Sequence, residues 1–165
     1  MIKVGIITSS DKGSAGQRED LSGAVIKEMV EDKGYKVIRQ VILPDEQDLL
    51  AEEMKNMADN LDVELVLTTG GTGFSKRDVT PEATEEVCER MAPGITEAIR
   101  YFSLQITPRA MLSRATAGIR NNTLIINLPG SPKAVRESLE FCLDSVDHGL
   151  EILTGRVSEC ARKED

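Results

Sequence analysis

The run Thr68-Thr69-Gly70-Gly71-Thr72-Gly73, followed closely by Lys76-Arg77-Asp78, places bare backbone, two cations and a carboxylate in one short stretch. Glycines leave the backbone open to a ligand, the cations suit phosphate oxygens, and Asp78 can hold a divalent metal beside them. A second carboxylate, Asp45, follows Pro44, and a third, Asp11, lies with Ser14 in the Ser- and Gly-rich stretch from Thr8 to Gly16. The turn Pro129-Gly130-Ser131-Pro132-Lys133 adds a hydroxyl cap and a proline at a helix start, the arrangement that leaves amide N–H groups facing an anion. The residues alone fit phosphate or nucleotide chemistry, in which amides and cations hold phosphates and carboxylates hold Mg²⁺. A plain glycine turn is the alternative for the loop, against which Arg77 and Asp78 weigh, while a plain helix cap at Ser131 and surface aspartates fit equally well.

Two familiar phosphate loops are excluded by spelling. No stretch reads Gly-x-x-x-x-Gly-Lys-Ser/Thr, and the dinucleotide fingerprint would need glycine where Lys76 stands after Gly71-Thr72-Gly73. His148 is the only histidine, which removes most Ser-His-Asp, Cys-His and polyhistidine metal schemes. Cys88, Cys142 and Cys160 lie far apart with no Cys-x-x-Cys spacing, so they read as reduced structural thiols. A net charge of -8 argues against nucleic-acid binding. Yet the stretch from Ala98 to Arg136 holds no Asp or Glu while carrying Arg100, Arg109, Arg114, Arg120, Lys133 and Arg136, a candidate lining for a small anion. The alternative is that these cations pair with acidic helices.

The elements that must position these groups alternate from the start. The 165 residues suit one domain with an aliphatic and Met-rich core, expected over residues 1–157, with a polar tail at 158–165. The opening run Met1 to Ile7 is too short for a signal core and no apolar run approaches spanning length, so a cytoplasmic protein without a membrane partner is expected. Strands are predicted at Ile2 to Ile7, Tyr35 to Leu43, Val63 to Leu67 and Thr123 to Leu128, the last preceded by a strand from Ala115 and a turn at Asn121-Asn122. Helices are predicted from the spacing of Leu21, Val25 and Met29, of Leu49 through Leu61, from Pro81 to about Arg90, from Ile95 to Ile106, and after Pro132. Thr80 is read as the cap of the third of these, with Pro81 at its first position. This order predicts a three-layer α/β/α sandwich with a mostly parallel central sheet. Asp11, Asp45, the glycine loop and the Ser131 turn all follow strands, so a parallel sheet would gather them around one pocket.

Leu67 to Phe74 with Arg77-Asp78-Val79-Thr80-Pro81-Glu82-Ala83-Thr84, then Ile106-Thr107-Pro108, Ala117-Gly118-Ile119-Arg120 and Ile126-Asn127-Leu128-Pro129-Gly130-Ser131-Pro132, strongly resemble the molybdopterin adenylyltransferase family. That family includes a bacterial stand-alone enzyme and the G domains of gephyrin-like fusion proteins, and the likeness covers nearly the whole chain. It implies a homotrimer acting in molybdenum cofactor biosynthesis, a nucleotidyltransferase that joins molybdopterin to the α-phosphorus of Mg-ATP and releases pyrophosphate. The implied partners are molybdopterin, ATP and the molybdenum-insertion enzyme. By motif, Asp45 and Asp78 take the catalytic and Mg²⁺-binding positions. Gly70, Gly71, Thr72 and Gly73 take the nucleotide phosphates, with Ser131, Asp11 and Ser14 completing the pocket and the acid-free segment drawing in the pterin phosphate. The chain has Gly-Ser-Pro-Lys where some G domains have Gly-Asn-Pro-Asn, a change that removes no carboxylate. A non-catalytic trimeric carrier or scaffold for molybdopterin is the alternative, and an intact Arg-Asp-Val-Thr-Pro favours the enzyme.

Overall fold

A computed structural model describes residues 1–157. The expected tail at 158–165, with Cys160, lies outside the described residues. Among these residues the strands are β1 (Lys3–Ser9), β2 (Lys36–Leu43), β3 (Leu65–Thr69), β4 (Arg90–Met91), β5 (Ala117–Arg120) and β6 (Thr123–Leu128). The helices are α1 (Asp11–Ser14), α2 (Leu21–Asp32), α3 (Gln47–Asp59), α4 (Thr80–Val87), α5 (Pro93–Leu104) and α6 (Pro132–Leu153), with a 3-10 turn at Pro108–Leu112. The strands form one sheet in the order β2-β1-β3-β6-β5-β4. β1 runs parallel to β2 and β3, and β3 parallel to β6, whereas β5 is antiparallel to both β6 and β4.

Period-two burial divides each central strand between two cores. Val4 and Ile6 of β1, Leu65 and Leu67 of β3, and Leu124, Ile126 and Leu128 of β6 join Ile26 and Val30 of α2, Ile99 of α5, and Val135 and Leu139 of α6 on one face. Ile7, Val66 and Ile125 join Leu50, Met54 and Met57 of α3 and Ala83 and Val87 of α4 on the other. These two helical layers around one mostly parallel sheet make the expected three-layer sandwich.

Four local readings needed correction, three because a tertiary contact outranked a local signal and the fourth because a proline acts on the residue before it. β3 extends through Thr68 and Thr69, both fully or nearly fully buried, because they pair with Asn127 and Leu128 of β6. The two threonines are therefore strand, and the open loop begins at Gly70. Thr80 is the first residue of α4 and caps nothing: Val79 holds the cap position without a side-chain bond, and the Thr80 hydroxyl donates to the Gly70 carbonyl at 3.0 Å. The helix stops at Val87, short of Arg90, because Arg90 and Met91 pair with Ile119 and Gly118 as β4. Ile106 falls beyond α5: Thr107, restricted by the following Pro108, is extended at φ -148 and accepts a hydrogen bond from Arg109 N.

A polar chain crosses the α3/α4 side of the sheet. Asn127, 1% exposed, donates from Nδ2 to the Thr68 hydroxyl at 3.0 Å and the Thr84 hydroxyl at 2.8 Å, while its Oδ1 accepts from Thr116 N at 3.1 Å. Thr84 donates in turn to the Thr80 carbonyl at 2.9 Å. Water cannot reach these groups to replace a lost partner, so truncation leaves them unsatisfied. Asn127→Ala is expected to lower unfolding free energy by about 1–3 kcal/mol, read as a lower denaturation midpoint at unchanged slope. Cys88 and Cys142 are free thiols, each pushed up to about 11 by burial. Peptide mapping after native alkylation at pH 8 should find both unlabelled, since only about one thiol in a thousand is then the reactive thiolate.

Candidate functional site

The parallel order of β2, β1, β3 and β6 brings their carboxyl ends to one edge, and a cleft of 730 Å³ opens there. Asp45, Asp78, Gly70, Gly71 and Ser131 line it together, from the exits of three different strands. This is the convergence the strand order predicted. Asp11, Ser14, Thr72 and Gly73 stand outside the lining. Asp11 starts the four-residue helix α1 that replaces the expected open loop, and the Ser14 hydroxyl donates to the Asp11 carbonyl at 3.0 Å. Thr72 is buried and Gly73 gives its carbonyl to Arg114.

Asp45 is fixed from two sides. The Ser9 hydroxyl donates to its Oδ1 at 2.6 Å and Asp11 N to its Oδ2 at 3.0 Å, while Asp45 N donates back to Asp11 Oδ1 at 3.0 Å. The exits of β1 and β2 are thus laced together by reciprocal carboxylate–amide bonds. Arg77 closes the arrangement from the glycine loop, forking onto both oxygens of Asp11 at 3.0 Å and reaching Glu46 at 2.9 Å. The Arg77 guanidinium, helped by Asp45 N, holds the Asp11 carboxyl below the usual carboxylate range, and these acids raise Arg77 in return. Asp11 is therefore a support behind Asp45, its carboxylate held by the Arg77 guanidinium.

Gly70 and Gly71 adopt φ of +84 and +69, the left-handed region that side chains rarely enter. A Cβ at Gly70 would collide with the Ser9 carbonyl oxygen, and one at Gly71 with the Thr80 hydroxyl. Both glycines are therefore demanded by close packing of the loop on β1 and α4, as well as by openness toward the cleft. Asp78 closes the loop by accepting from Ser75 N at 3.0 Å. Across the cleft, Ser131 caps α6 by accepting from Ala134 N at 3.2 Å, as expected. Thr69 donates to the Pro129 carbonyl at 2.6 Å and Ser22 to the Gly130 carbonyl at 2.7 Å, which pins that turn to β3 and α2.

The fold adds cleft residues that the motifs did not single out. Asp20 caps α2 by accepting from Gly23 N at 2.8 Å and also takes the Thr8 hydroxyl at 2.7 Å, while Ser10, Arg18 and Ser22 line the same wall. The only sequence signal for Asp20 was its place before the Leu21, Val25, Met29 face. Among the described residues no cluster of three or more His, Cys, Asp or Glu could hold a metal. Mg²⁺ characteristically takes one or two carboxylates plus phosphate oxygens and water, so Asp45 and Asp78 fit that ion when a phosphate accompanies it.

The acid-free segment is largely committed to the scaffold. Arg100 donates to the carbonyls of Thr96, Ser113 and Ala115, Arg120 forks onto Asp59, and Arg136 pairs with Glu28. The expected anion lining is thus mostly structural clamps, its guanidinium groups taken up by backbone carbonyls and facing acids.

The doubly covered sheet with a glycine loop and two aspartates at its carboxyl edge defines an α/β domain with a ligand cleft at its strand exits. The family model described as "Probable molybdopterin binding domain" matches residues 5–148, and the chain belongs to that family. It is 43% identical over 164 residues to a molybdopterin adenylyltransferase of Helicobacter pylori, covering 98% of this chain and 93% of that protein. Gephyrin of Dictyostelium discoideum is 44% identical over 163 residues, covering 93% of this chain but 23% of gephyrin. Among solved structures, the molybdopterin biosynthesis enzyme MoaB of Thermus thermophilus superposes with a TM-score of 0.89 at 45% identity, covering 94% of this chain and 98% of that one.

Gly70→Ala is expected to destabilise the protein by about 1–3 kcal/mol through strained φ alone, with the Ser9 collision added. Chemical denaturation measures the loss, and a wild-type midpoint would show that the loop does not hold this geometry.

Proposed function

We propose that the cleft adenylylates molybdopterin, consuming Mg-ATP and releasing pyrophosphate, as a step of molybdenum cofactor biosynthesis. The observation that carries this reading is the meeting of Asp45, Asp78, Gly70, Gly71 and Ser131 in one cleft at the sheet edge. Names of near full-length relatives such as that of H. pylori support the same chemistry.

In this reading an oxygen of the molybdopterin phosphate attacks the α-phosphorus of ATP. A P–O bond to that phosphorus forms, the bond to the β-phosphate bridging oxygen breaks, and the leaving electron pair departs with pyrophosphate. Mg²⁺, when bound with the nucleotide, offsets charge on the phosphates. Asp45, pre-set by Ser9 and Asp11 N, and Asp78, pre-set by Ser75 N, would hold it. Because their acceptor geometry is fixed before ligand arrives, little reorganisation is left for the reaction. Gly70 and Gly71 bring backbone against the phosphates, with Thr72 and Gly73 shaping the loop. Ser131 and the start of α6 face the opposite wall, Asp11 braces Asp45 from behind, and Ser14 ties back to the Asp11 carbonyl. The nucleophile belongs to the substrate, which accounts for a cleft built from carboxylates and glycines. Homotrimeric assembly, a cytoplasmic setting and hand-over to the molybdenum-insertion enzyme are part of the proposal. No helix among the described residues is long and apolar enough to cross a membrane.

Purified protein incubated with molybdopterin, ATP and Mg²⁺ should form adenylyl-molybdopterin and pyrophosphate in equal amounts. Asp78→Asn and Asp45→Asn should each lower turnover at least roughly 100-fold while leaving the circular dichroism spectrum unchanged. Binding of molybdopterin without pyrophosphate release would leave the carrier reading in place of the enzyme.

A further inference from the structure

Arg114 comes from the acid-free segment, far along the chain from the glycine loop, yet its bonds are concentrated there. Its backbone N donates to the Thr72 carbonyl at 2.8 Å. Nε donates to the Gly73 carbonyl at 2.7 Å and one terminal nitrogen to the Asp78 carbonyl at 2.8 Å. The other terminal nitrogen pairs with Glu82 of α4. One planar cation therefore grips both ends of the segment from Gly73 to Asp78, the segment that carries Asp78 to the cleft.

The grip has a geometric meaning. Inside the segment, Asp78 is held by two local bonds, Ser75 N to its Oδ2 and Asp78 N to the Ser75 carbonyl, both at 3.0 Å. Those bonds shape the turn but cannot fix it relative to the sheet. At its far end the segment is joined to α4, where Thr80 is tied to Gly70 and Gly71. Arg114 supplies the remaining constraint, since two carbonyls pointing at one rigid fork cannot move independently. Arg77 within the segment is turned instead toward Asp11 and Glu46, so its charge braces the opposite side. Glu82 keeps Arg114 in place, and among the described residues its buried Oε2 has no hydrogen-bond partner, which leaves Arg114 as its compensating charge.

We infer that Arg114 is a positioning residue for Asp78: its guanidinium clasps the Gly73 and Asp78 carbonyls and so sets where the Asp78 carboxylate stands in the cleft. Arg114 lies outside the cleft lining and touches no substrate in this scheme. The inference rests on the adenylylation reading for its kinetic consequence and on geometry alone for its effect on the loop. Lysine retains the charge beside Glu82 but replaces the planar fork with a point charge that cannot span both carbonyls in the same way.

The test is a double-mutant cycle with Arg114→Lys and Asp78→Asn, read by steady-state kinetics and by hydrogen exchange of the amides from Gly73 to Asp78. Arg114→Lys should lower kcat roughly 10- to 100-fold with KM for ATP changed less than about threefold, because a misplaced group loses orientation before it loses binding. In the Asp78→Asn background the same substitution should cost less than about twofold, since the group it positions is already gone. Exchange across the segment should quicken at least roughly tenfold, while exchange in the buried strands β1 and β3 stays at wild-type rates. An equal kinetic loss in both backgrounds, or unchanged exchange across the segment, would overturn the inference. Should the wild-type protein transfer no adenylyl group, the functional reading fails separately, and exchange in the segment alone then decides whether the clasp exists.

Discussion

The site depends on one buried polar chain. Asn127 of β6 reaches Thr68 of β3 and Thr84 of α4, Thr84 bonds the Thr80 carbonyl, and the Thr80 hydroxyl bonds the Gly70 carbonyl. Hydrophobic burial brings α4 onto the sheet through Ala83 and Val87, but burial is indifferent to a small slide along the strands. Directional bonds are not. They index α4 against β3 and β6, and the glycine loop, joined to α4 at Thr80, inherits that register. Because Asn127, Thr84 and Thr80 are all within 1% of complete burial, no water can take over a broken link.

The same economy governs the charges. The molecule carries a net charge of -8, yet its cleft has carboxylates at its mouth and would receive polyanions. Part of the resolution lies in how the acids are occupied. Asp45 takes the Ser9 hydroxyl and the Asp11 amide, and Asp11 is neutralised by Arg77. The acids are thus presented as oriented acceptors within a network that includes a cation, which is a different object from two loose surface aspartates. Arg77 binds Asp11 and Glu46 at a solvent-exposed position, so its contribution is geometric order across three strand exits more than stability.

Much of the architecture could be read from the chain because its signals are local. Alternation of aliphatic runs and amphipathic stretches predicted the doubly covered sheet, Asn121-Asn122 the hairpin between β5 and β6, with Asn121 at φ 51, and Ser131-Pro132 the start of α6. Of the residues the motifs picked out, Asp45, Asp78, Gly70, Gly71 and Ser131 share one cleft. Signals that depend on a distant partner failed. Thr80 has the spelling of a cap, yet its hydroxyl is drawn to the Gly70 carbonyl instead. Arg90-Met91 has no strand pattern of its own and becomes β4 only because Ile119 and Gly118 offer an edge. Arg100, Arg114 and Arg120 looked like an anion lining, but Arg100 turns to carbonyls of its own helix and of the stretch that follows, while Arg114 and Arg120 find carbonyls and acids from elements far away in sequence.

By itself, then, the amino-acid sequence determined which elements form, which residue types could meet a phosphate and metal, and which family the chain resembles. Those properties reside in periodicity, capping residues and contiguous motifs, all set within a few positions along the chain. The tertiary structure alone decided how the candidates divide between cleft and support. Asp45 and Asp78 line the opening, Asp11 braces from behind, Asp20 joins the wall, and Arg114 grips the loop from outside. That division follows from strand order and hydrogen-bond geometry, and neither can be computed from spacing when the partners lie thirty or more residues apart, as Asp11 and Asp45 or Arg114 and Asp78 do.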